Sequence, residues 1–508
     1  KAIVQENVLV VQLLTAINEI RLTAGYGHPV PDEWVTNDLK ILFKKGDRGD
    51  LNNYRGITLM DCCTKLVTSM ITVRLQEMLK KRGMEEQCGF TPGRGCADGS
   101  FSLRLALQKR KEHNLKTFVV FVDLVKAFDS VPRDGLFQVL LRFGVPIEMV
   151  RLIKAMHVDM KVGITIGSEP ISIGSTAGVK QGDPLSPILF NIFIQACIEA
   201  IGDDWPAFKP SFRTKNDGQV MSRSWRARGT SFNFWLSLYA DDSAFLFDSR
   251  EDMRLGMTFL YSHFERMGML MHVGRNNKRS KTEAMCCFSR DEPIEDGDKD
   301  RFVITEDGGY ITFTDHFKYL GSYISEDLKD DFGARKRIED ASKAFGALRR
   351  KVFEAQGVMN ALKGELFVSL VDGILLYGSE CWCTTEKILH SLQMFFNRCV
   401  RIMAGITIRQ MYHRHVSQED LEARLGLEPL RDLIRRRRLR WAGHVARMKK
   451  DRLPNKFLTA WVRHKRPVGR PQFTYGHALK KDLIEVDIPL DSWHNVAQNR
   501  DSWRDIVG

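Results

Sequence analysis

The sequence predicts an α+β protein whose sheet is followed by a helical, basic C-terminal region. Up to Ser325, short apolar strand patterns alternate with amphipathic helical patterns, which is typical of a sheet covered by helices. Beyond Asp327 the pattern is almost wholly helical as far as Arg447. Residues 431–470 then carry 15 Lys and Arg against two acidic residues, an excess that equals the net charge of +13 of the whole chain.

The composition is that of a large globular protein. Of the 508 residues, 43% are hydrophobic and 27% are charged, and only 39 are Gly and 16 Pro, which excludes a fibrous or largely disordered chain. Apolar runs fall short of the roughly 18 to 20 residues that a bilayer span requires, so no membrane partner is expected. The ten Cys show no CxxC spacing, which favours reduced thiols in the cytosol or nucleus.

The first predicted elements are a helix, two strands and two further helices. Apolar residues at helical spacing predict a helix over 4–24, within an N-terminal helical extension (residues 1–36) that is expected to be truncated at its start. Residues 38–44 and 57–60 have short strand patterns with basic residues near their ends. Amphipathic spacing predicts helices over 63–80 and 98–111, on either side of a Gly-rich loop.

The next stretch has the pattern of a buried sheet. The β-branched and aromatic run TFVVFVDL at 117–124 predicts a buried strand that ends in Asp123. Further strands are predicted at 162–166, 171–176, 236–239, 243–247 and from Phe302 onward, with helices at 136–143, 147–156, 187–201 and 253–267. We therefore expect a sheet with helices packed on one face, followed by an all-helical region.

Carboxylates stand at two strand ends of this predicted sheet. Asp123 ends the buried strand, and Asp241 and Asp242 form the turn of a hairpin. A lone Asp-Asp turn is common and is more often solvated turn chemistry. Two central strands of one sheet could bring all three carboxylates to one point, where oxygen ligands can hold two Mg²⁺ ions about 3.5 to 4 Å apart for nucleotidyl transfer.

Three segments resemble the core motifs of reverse transcriptases in order and spacing. They are FVDLVKAFD at 121–129, GVKQGDPLSPILF at 178–190 and YADD at 239–242. Further matches make the class from non-long-terminal-repeat, LINE-like retrotransposons the most similar; they lie at 53–57, 89–94, 281–283, 317–321, 376–380 and 438–445. The resemblance implies a right-hand polymerase with fingers and palm over 37–325, a helical thumb over 326–428 and a basic nucleic-acid-binding region over 429–508.

The resemblance also implies roles at the catalytic centre. Asp123, Asp241 and Asp242 would be the catalytic carboxylates and, with Leu124, would hold the metal ions. Lys281 resembles the lysine proposed to protonate pyrophosphate. The incoming nucleotide would be bound by residues of the fingers and palm: Lys44, Lys45, Arg55, Leu124, Phe128, Gln181 and Gly182.

Within that group, Phe128 matches the bulky residue that excludes a 2′-hydroxyl. Nucleic acid would be held by Arg94, at a Gly-rich turn, and by Tyr319, Leu320 and Gly321, which resemble the hairpin that holds the primer end.

Several of these residues have a simpler interpretation. Phe128 could be an ordinary core residue and Lys281 an ordinary surface lysine. Lys44 and Lys45 cannot be ranked from the sequence. Asp129 is interpreted as the N-cap of a helix that begins near Val131 rather than as a metal ligand.

The basic stretch near the C-terminus is predicted to bind nucleic acid. Leu439, Trp441 and Val445 would anchor a helix whose cations face phosphate: Arg435, Arg436, Arg438, Arg440, Arg447, Lys449 and Lys450. A looser arm would follow at 463–470. The alternative is a solvated cationic face with no fixed partner.

The predicted function is that of an RNA-directed DNA polymerase. It would use two Mg²⁺ ions, or Mn²⁺ in their place, with an RNA template, a DNA primer and deoxynucleoside triphosphates, in the nucleus and cytoplasm. One alternative is a catalytically inactive, domesticated or fragmentary relic that binds RNA, which the intact Asp123, Asp241, Asp242 and Gln181 disfavour. A second alternative is an intron-encoded maturase, which the matches at 376–380 and 438–445 disfavour.

Overall fold

The fold is α+β, as predicted. The computed structural model describes residues 7–25, 29–166, 168–214, 229–276, 278–288, 292–465, 467–468 and 473–508. In chain order the strands are β1 Thr36–Phe43, β2 Tyr54–Leu59, β3 Thr117–Val122, β4 Met160–Ile166, β5 Glu169–Ser175, β6 Ser211–Arg213, β7 Ser231–Asn233, β8 Leu236–Tyr239, β9 Asp242–Phe247, β10 Glu283–Cys287, β11 Phe302–Val303, β12 Tyr310–Phe313, β13 His316–Tyr319 and β14 Ser322–Ser325.

Helices lie between these strands and make up most of the chain beyond them. Up to the last strand they are Asn7–Gly25, Asp32–Val35, Cys62–Arg82, Cys96–Glu112, Ala127–Ser130, Arg133–Phe143, Ile147–Ala155, Ser186–Glu199 and Arg250–Arg266. Beyond it they are Asp331–Leu348, Asn360–Phe367, Gly373–Leu375, Glu386–Met403, Ile408–His413, Gln418–Leu425, Leu430–Arg447, Leu453–Thr459, Tyr475–Glu485, Trp493–Val496 and Arg500–Val507. Among the residues described, no helix combines the length and the apolar character that a bilayer span needs.

The largest sheet has six strands in the order β11-β12-β10-β3-β9-β8. Its β3 pairs antiparallel with β9, which places Val122 opposite Ser243. The hairpin of β8 and β9 closes with Tyr239 opposite Asp242. The end of β3 and the turn of this hairpin therefore lie at the same end of the sheet, on neighbouring strands.

Both faces of this sheet are covered, whereas the sequence analysis expected helices on one face only. All six side chains of β3 are buried. Phe118 and Val120 lie in a core that includes the helix Ser186–Glu199, while Val119 and Phe121 lie in a second core formed with the C-terminal region. An uninterrupted apolar strand is typical of a sheet buried on both faces. The apolar run of β3 therefore requires a second layer, which the C-terminal region supplies.

A second sheet and a separate helical core complete the fold. The second sheet has four strands in the order β2-β1-β4-β5. The helices between 331 and 434 form a third core around Phe345, Phe367 and Phe396. The helix Leu430–Arg447 joins two cores, because its first half contributes Ile434 to the third and its second half contributes Leu439 to the second.

Candidate active site at the end of the central sheet

Asp123 is held by its backbone at the end of β3. Its N–H donates to Thr282 Oγ1 at 3.2 Å, and its carbonyl oxygen accepts from the His272 N–H at 2.8 Å. Thr282 is completely buried and directly precedes β10. The backbone of Asp123 is therefore fixed on both of its polar groups, by Thr282 and by His272.

Asp241 and Asp242 lie at the tight turn between β8 and β9. Ala240, which precedes them, has a φ of +53°, a left-handed conformation that is uncommon for a residue with a side chain. The register that pairs Val122 with Ser243 carries Asp123 opposite Asp242 in the next step of the ladder. The turn and the strand end thus place the three carboxylates at the same end of the central sheet.

Desolvation and the charges of neighbouring carboxylates raise the pKa of Asp241 and of Asp242. Desolvation by the surrounding protein raises the pKa of Asp242 to about 6, and the charges of Asp241 and Asp123 add to this effect. Desolvation also raises the pKa of Asp241, again helped by Asp123 and opposed by the cations Arg55 and Lys44. Like charges in one place favour either protonation or a bound cation.

The donor set fits a divalent metal ion. Carboxylate oxygens are the ligands that Mg²⁺ and Mn²⁺ prefer, and a dication would offset the repulsion among the three side chains. Within the described chain, three possible ligand atoms come within 4.8 Å of one another only at Asp61, Cys62 and Cys63, where Asp61 instead caps the helix Cys62–Arg82. The oxygens of Asp123, Asp241 and Asp242 therefore do not all lie within 4.8 Å of one another.

We expect Asp242 to make the metal-free protein less stable as the pH rises through about 6. Its folded-state pKa lies above the ordinary value of 3.8, so its contribution to stability is fully present below about pH 4 and is lost as the pH rises through about 6. Asp242→Asn should remove this component. Urea unfolding of both proteins in EDTA, between about pH 4 and pH 7, measures it, and an unchanged pH dependence in the variant would contradict the assignment.

Cations of the second sheet face the carboxylates. Arg55 lies on β2 and Lys44 directly follows β1, and the charges of both lower the pKa of Asp241 against the effect of desolvation. The charge of Lys44 also lowers the pKa of Asp129 against the effect of desolvation. Lys45 is exposed on the adjoining turn and is not among the main charges that act on either carboxylate. The structure therefore favours Lys44 over Lys45 as the partner of a bound phosphate.

The loop at Gln181 and Gly182 is attached to this second sheet. The Thr58 N–H on β2 donates to the Gln181 carbonyl oxygen at 2.7 Å. Gly182 has a φ of +115°, and a Cβ there would lie 2.5 Å from the Thr58 carbonyl oxygen, so only glycine fits without displacement. The loop thereby joins the strand that carries Arg55 to the helix Ser186–Glu199.

Phe128 and Leu124 follow the end of β3 and pack against the first core. The Phe128 ring is partly buried and stacks on Phe190 with ring centroids 4.7 Å apart. Leu124 is buried and forms an isolated bridge with Met271. Phe128 is thus partly a core residue, while its exposed portion leaves room for the predicted role at the sugar.

Lys281 lies on the other side of Asp123. The register of β10 against β3, with Glu283 opposite Phe121, carries Lys281 to the level of Asp123. Its N–H donates to His272 Nδ1 at 3.2 Å, and its side chain is exposed. Desolvation lowers the pKa of His272, and the charge of Lys281 adds to that effect. The position of Lys281 is compatible with its predicted role as the proton donor, and that role stays a prediction.

The hairpin of β13 and β14 differs in part from its predicted role. Tyr319 is buried, and its hydroxyl donates to the backbone of Ser237 on β8 at 3.2 Å, so its ring cannot contact a primer. Leu320 and Gly321 form the turn with φ of +48° and +78°. Tyr377 from the helical region donates to the Leu320 carbonyl oxygen at 3.2 Å. For Leu320 and Gly321, contact with the primer end stays a prediction.

Two predictions at loops are wrong. Arg94 does not face a template, because its guanidinium donates to the carbonyl oxygens of Met84 and Gln87 at 2.6 and 2.9 Å and to Glu85 at 2.6 Å. Asp129 does not cap the following helix, which begins at Arg133 without a side-chain cap. Its carboxylate instead accepts from Gln181 Nε2 at 3.4 Å.

The arginines of the C-terminal region are largely paired within the protein. Arg438 is buried and donates to Asp482 and Thr384, both at 2.6 Å, so its predicted contact with phosphate is wrong. At the surface, Arg435 pairs with Asp432 and Glu485, and Arg436 with Glu428. Arg440 and Arg447 donate to the carbonyl oxygens of Gly508 and Ala497 at 2.5 and 2.7 Å. Contact with nucleic acid stays a prediction for the surface arginines and for the exposed Lys449 and Lys450. The arm at 463–470 lies partly outside the described residues.

Sequence reasoning did not identify Thr282 and Gln87, which hold the backbone at the carboxylates. Thr282 accepts from Asp123, and Gln87 accepts from the Ala240 N–H at 2.9 Å. Thr282 lies within one segment that the resemblance had marked, Lys281–Glu283, and Gln87 stands just before another, Gly89–Arg94. Their role depends on which backbone atoms they meet, and no local pattern encodes that.

The paired strand ends with three carboxylates, opposed by cations from a second sheet, define a polymerase of the nucleotidyl-transfer class. A model of the reverse transcriptase (RNA-dependent DNA polymerase) family matches residues 43–324, more than half of the chain. The chain belongs to this family. It is therefore in the class of RNA-directed DNA polymerases, whose members use divalent metal ions and act on nucleic acids.

Several curated relatives derive from mobile elements. A transposon-derived protein of Caenorhabditis elegans is 27% identical over 201 residues, 38% of this chain and 70% of that protein. The polyprotein of a type-1 retrotransposable element R2 from Popillia japonica is 30% identical over 176 residues, 34% of this chain and 24% of the polyprotein. The predicted resemblance to reverse transcriptases of non-long-terminal-repeat retrotransposons is confirmed.

A solved structure of telomerase from Candida tropicalis is also similar. It is 12% identical, has a TM-score of 0.40, and the match covers 87% of this chain and 67% of that chain.

Proposed function

We propose that this chain copies RNA into DNA by extending a DNA primer with deoxynucleoside triphosphates. The observation that carries the proposal is the meeting of Asp123, Asp241 and Asp242 at one end of the central sheet, opposite Lys44 and Arg55. Carboxylates that lie close together repel one another, and nearby cations relieve that repulsion. The divalent metal ions that accompany a nucleoside triphosphate would supply that positive charge.

In this proposal the three carboxylates hold two Mg²⁺ ions, or Mn²⁺ in their place. Bound metal of this kind activates the attacking hydroxyl and neutralises the charge of the leaving pyrophosphate. The cations of the fingers, Lys44 and Arg55, bind the triphosphate and stabilise the charge that develops in the transition state. Lys281, at the level of Asp123, donates a proton to the leaving group.

The remaining parts of the proposal concern the nucleic acid and the cell. The turn at Leu320 and Gly321 holds the primer end, and the exposed cations of 429–508 bind the RNA template through its phosphates. The aligned segments span 24% and 32% of the R2 polyproteins, so activities that belong to other parts of such polyproteins are not proposed for this chain. The protein acts in the nucleus and cytoplasm.

A primer-extension assay tests the function. Purified protein, poly(rA) with oligo(dT) and dTTP should give products that lengthen with time and that require a divalent cation. Mg²⁺ and Mn²⁺ in parallel reactions identify the ion, and poly(dA) in place of poly(rA) tests the RNA preference. Binding of poly(rA) without any extension, under every metal condition, would support the inactive RNA-binding alternative instead.

Phe128→Val is expected to relax the exclusion of ribonucleotides. If the exposed part of the ring occupies the space of a 2′-hydroxyl, its removal should reduce discrimination by about tenfold to a hundredfold, the range for a change in one steric contact. The ratio of kcat/KM for dTTP and UTP measures this effect. Phe190→Leu is the matched control, because it removes the stacking partner and leaves the Phe128 ring in place. Unchanged discrimination in a folded Phe128→Val protein would assign the ring to the core alone.

A further inference from the structure

A short segment, Glu86–Gly89, lies along the edge of the central sheet next to the catalytic turn. The Cys88 N–H donates to the Leu238 carbonyl oxygen at 2.8 Å, and the Leu238 N–H donates to the Glu86 carbonyl oxygen at 2.9 Å. Leu238 stands on β8, two residues before Ala240. The segment therefore continues the sheet beyond β8 and reaches the turn that carries Asp241 and Asp242.

The side chain of Gln87 bonds to this turn. Its Oε1 accepts from the Ala240 N–H at 2.9 Å and from the Gly89 N–H at 2.8 Å. Because both partners are backbone donors, the amide oxygen and not the amide nitrogen must face them. Gln87 is 3% exposed, and its Nε2 has no hydrogen-bond partner among the described residues. The polar contacts of the Gln87 amide are therefore made by its oxygen, and the nitrogen contributes none among the described residues.

The backbone that Gln87 holds is strained. Ala240 has a φ of +53°, a conformation that costs on the order of 1 kcal/mol and persists only when its surroundings enforce it. Gly89 closes the contact from the same side, since a Cβ there would lie 2.5 Å from the Ala240 nitrogen. Ala240 immediately precedes Asp241, so a change in its conformation would move both carboxylates.

The segment is itself fixed by two neighbouring side chains, and a third holds Glu85, the residue before it. Arg94 donates to the Gln87 carbonyl oxygen at 2.9 Å, and Asn191 donates to the Gly89 carbonyl oxygen at 2.6 Å. Arg452, from the C-terminal region, donates to Glu85 at 2.7 Å. Gln87 thus projects from a rigid support rather than from a loop.

We propose that Gln87 is a positioning residue, which holds the Ala240 N–H so that Asp241 and Asp242 present their oxygens to the metal ions. The proposal rests on the proposed function for the identity of that site. Residues that orient metal ligands typically change metal affinity or activity by about tenfold to a hundredfold when they are replaced.

The test compares variants that remove or keep the acceptor oxygen. Gln87→Met has a similar volume but no oxygen, whereas Gln87→Glu keeps an oxygen that faces the two donors. In Gln87→Met we expect faster hydrogen exchange of the Ala240 amide and a loss in Mn²⁺ affinity, measured by electron paramagnetic resonance, of about tenfold or more. Gln87→Glu should restore most of the slow exchange and of the affinity.

Gln108→Met is the matched control. Gln108 is also a buried glutamine with two hydrogen bonds, to Cys383 Sγ and from the Tyr475 N–H, but it lies away from the turn. Gln108→Met should lower the stability of the protein without a change in Mn²⁺ affinity or in hydrogen exchange of the Ala240 amide. Wild-type exchange and affinity in Gln87→Met, or equal losses in Gln87→Met and Gln87→Glu, would overturn the proposal.

Two further comparisons cover the cases in which Gln87→Met does not fold or the protein extends no primer. If Gln87→Met does not fold, Gly89→Ala supplies the test, because its Cβ would displace the Ala240 nitrogen and should produce the same loss of Mn²⁺ affinity with the acceptor in place. Unaltered Mn²⁺ affinity in Gly89→Ala would contradict the proposal. Primer extension by the wild type and by Asp241→Asn tests the proposed function separately, since Mn²⁺ binding and amide exchange report on Gln87 even if no primer is extended.

Discussion

Asp241→Asn should reduce primer extension by about a thousandfold or more while the protein stays folded. The substitution keeps the size of the side chain and removes a charged oxygen ligand. Stabilisation of transition-state charge by a bound metal is worth several kcal/mol, and about 4 kcal/mol corresponds to a factor of about a thousand in rate. Single-turnover extension of oligo(dT) on poly(rA) at saturating dTTP measures the change in the chemical step.

Asp241→Asn should increase the stability of the metal-free protein, although it reduces primer extension. In the metal-free protein Asp241 has a raised pKa and adds to the raised pKa of Asp242, so removal of its charge relieves repulsion. Asp203→Asn, at an exposed carboxylate distant in the sequence from the site, is the matched control and should leave both extension and stability unchanged. Extension by folded Asp241→Asn protein within about threefold of the wild-type rate would refute the assignment of the metal ligands.

Arg438→Met should destabilise the protein by about 3 to 5 kcal/mol, the cost of leaving one member of a buried ion pair without its partner. Arg438 and Asp482 are both buried and are joined at 2.6 Å. Burial already raises the pKa of Asp482 to about 6, against the effect of Arg438, so removal of the arginine should raise it further. Urea unfolding at about pH 7 measures the loss.

A double variant separates the ion pair from the packing. Arg438→Met with Asp482→Leu replaces both charges by apolar groups and should recover most of the lost stability, as buried pairs often do. Arg436→Met is the surface control, because its pair with the exposed Glu428 should be worth less than about 1 kcal/mol.

RNA binding by Arg438→Met distinguishes the structural role from the one predicted by sequence. A phosphate contact would contribute about 0.7 to the slope of log K against log salt for a single strand. We expect Arg438→Met to keep the wild-type slope, measured by fluorescence anisotropy over a salt series. A slope smaller by about 0.7 in magnitude would show that the guanidinium leaves Asp482 to bind phosphate.

Much of the candidate site could be predicted because its signals are local. The strand that ends in Asp123 is marked by five consecutive apolar residues, 118–122, and the YADD turn by the strands on either side of it. The observed strands, β3 at Thr117–Val122 and the hairpin of β8 and β9, agree with those patterns to within two residues. The roles of the individual site residues stay predictions, while the reverse transcriptase family and the α+β fold are confirmed.

Arg94, Tyr319 and Arg438 were misjudged, because each has a side chain suited to nucleic acid and each is used internally. The partners of Arg94 are 7 to 10 positions away, whereas those of the other two are distant in the sequence. Tyr319 donates to a residue 82 positions away, and Arg438 to one 44 positions away. A cationic or aromatic side chain has the same local pattern whether it faces solvent or a buried acceptor, so the sequence cannot distinguish the two.

By itself, the sequence determined the strand ends that carry carboxylates, the order of the motifs and the helical character of the second half, because each follows from residues close together in the chain. The tertiary structure alone decided how the second face of the sheet is covered. There the C-terminal region packs against Val119 and Phe121, and Arg452 reaches Glu85, 367 positions away. The physical reason is that burial and ion pairing depend on which surfaces meet after folding. The basic C-terminal region, which the sequence predicted to bind nucleic acid, forms the second layer that packs against the central sheet.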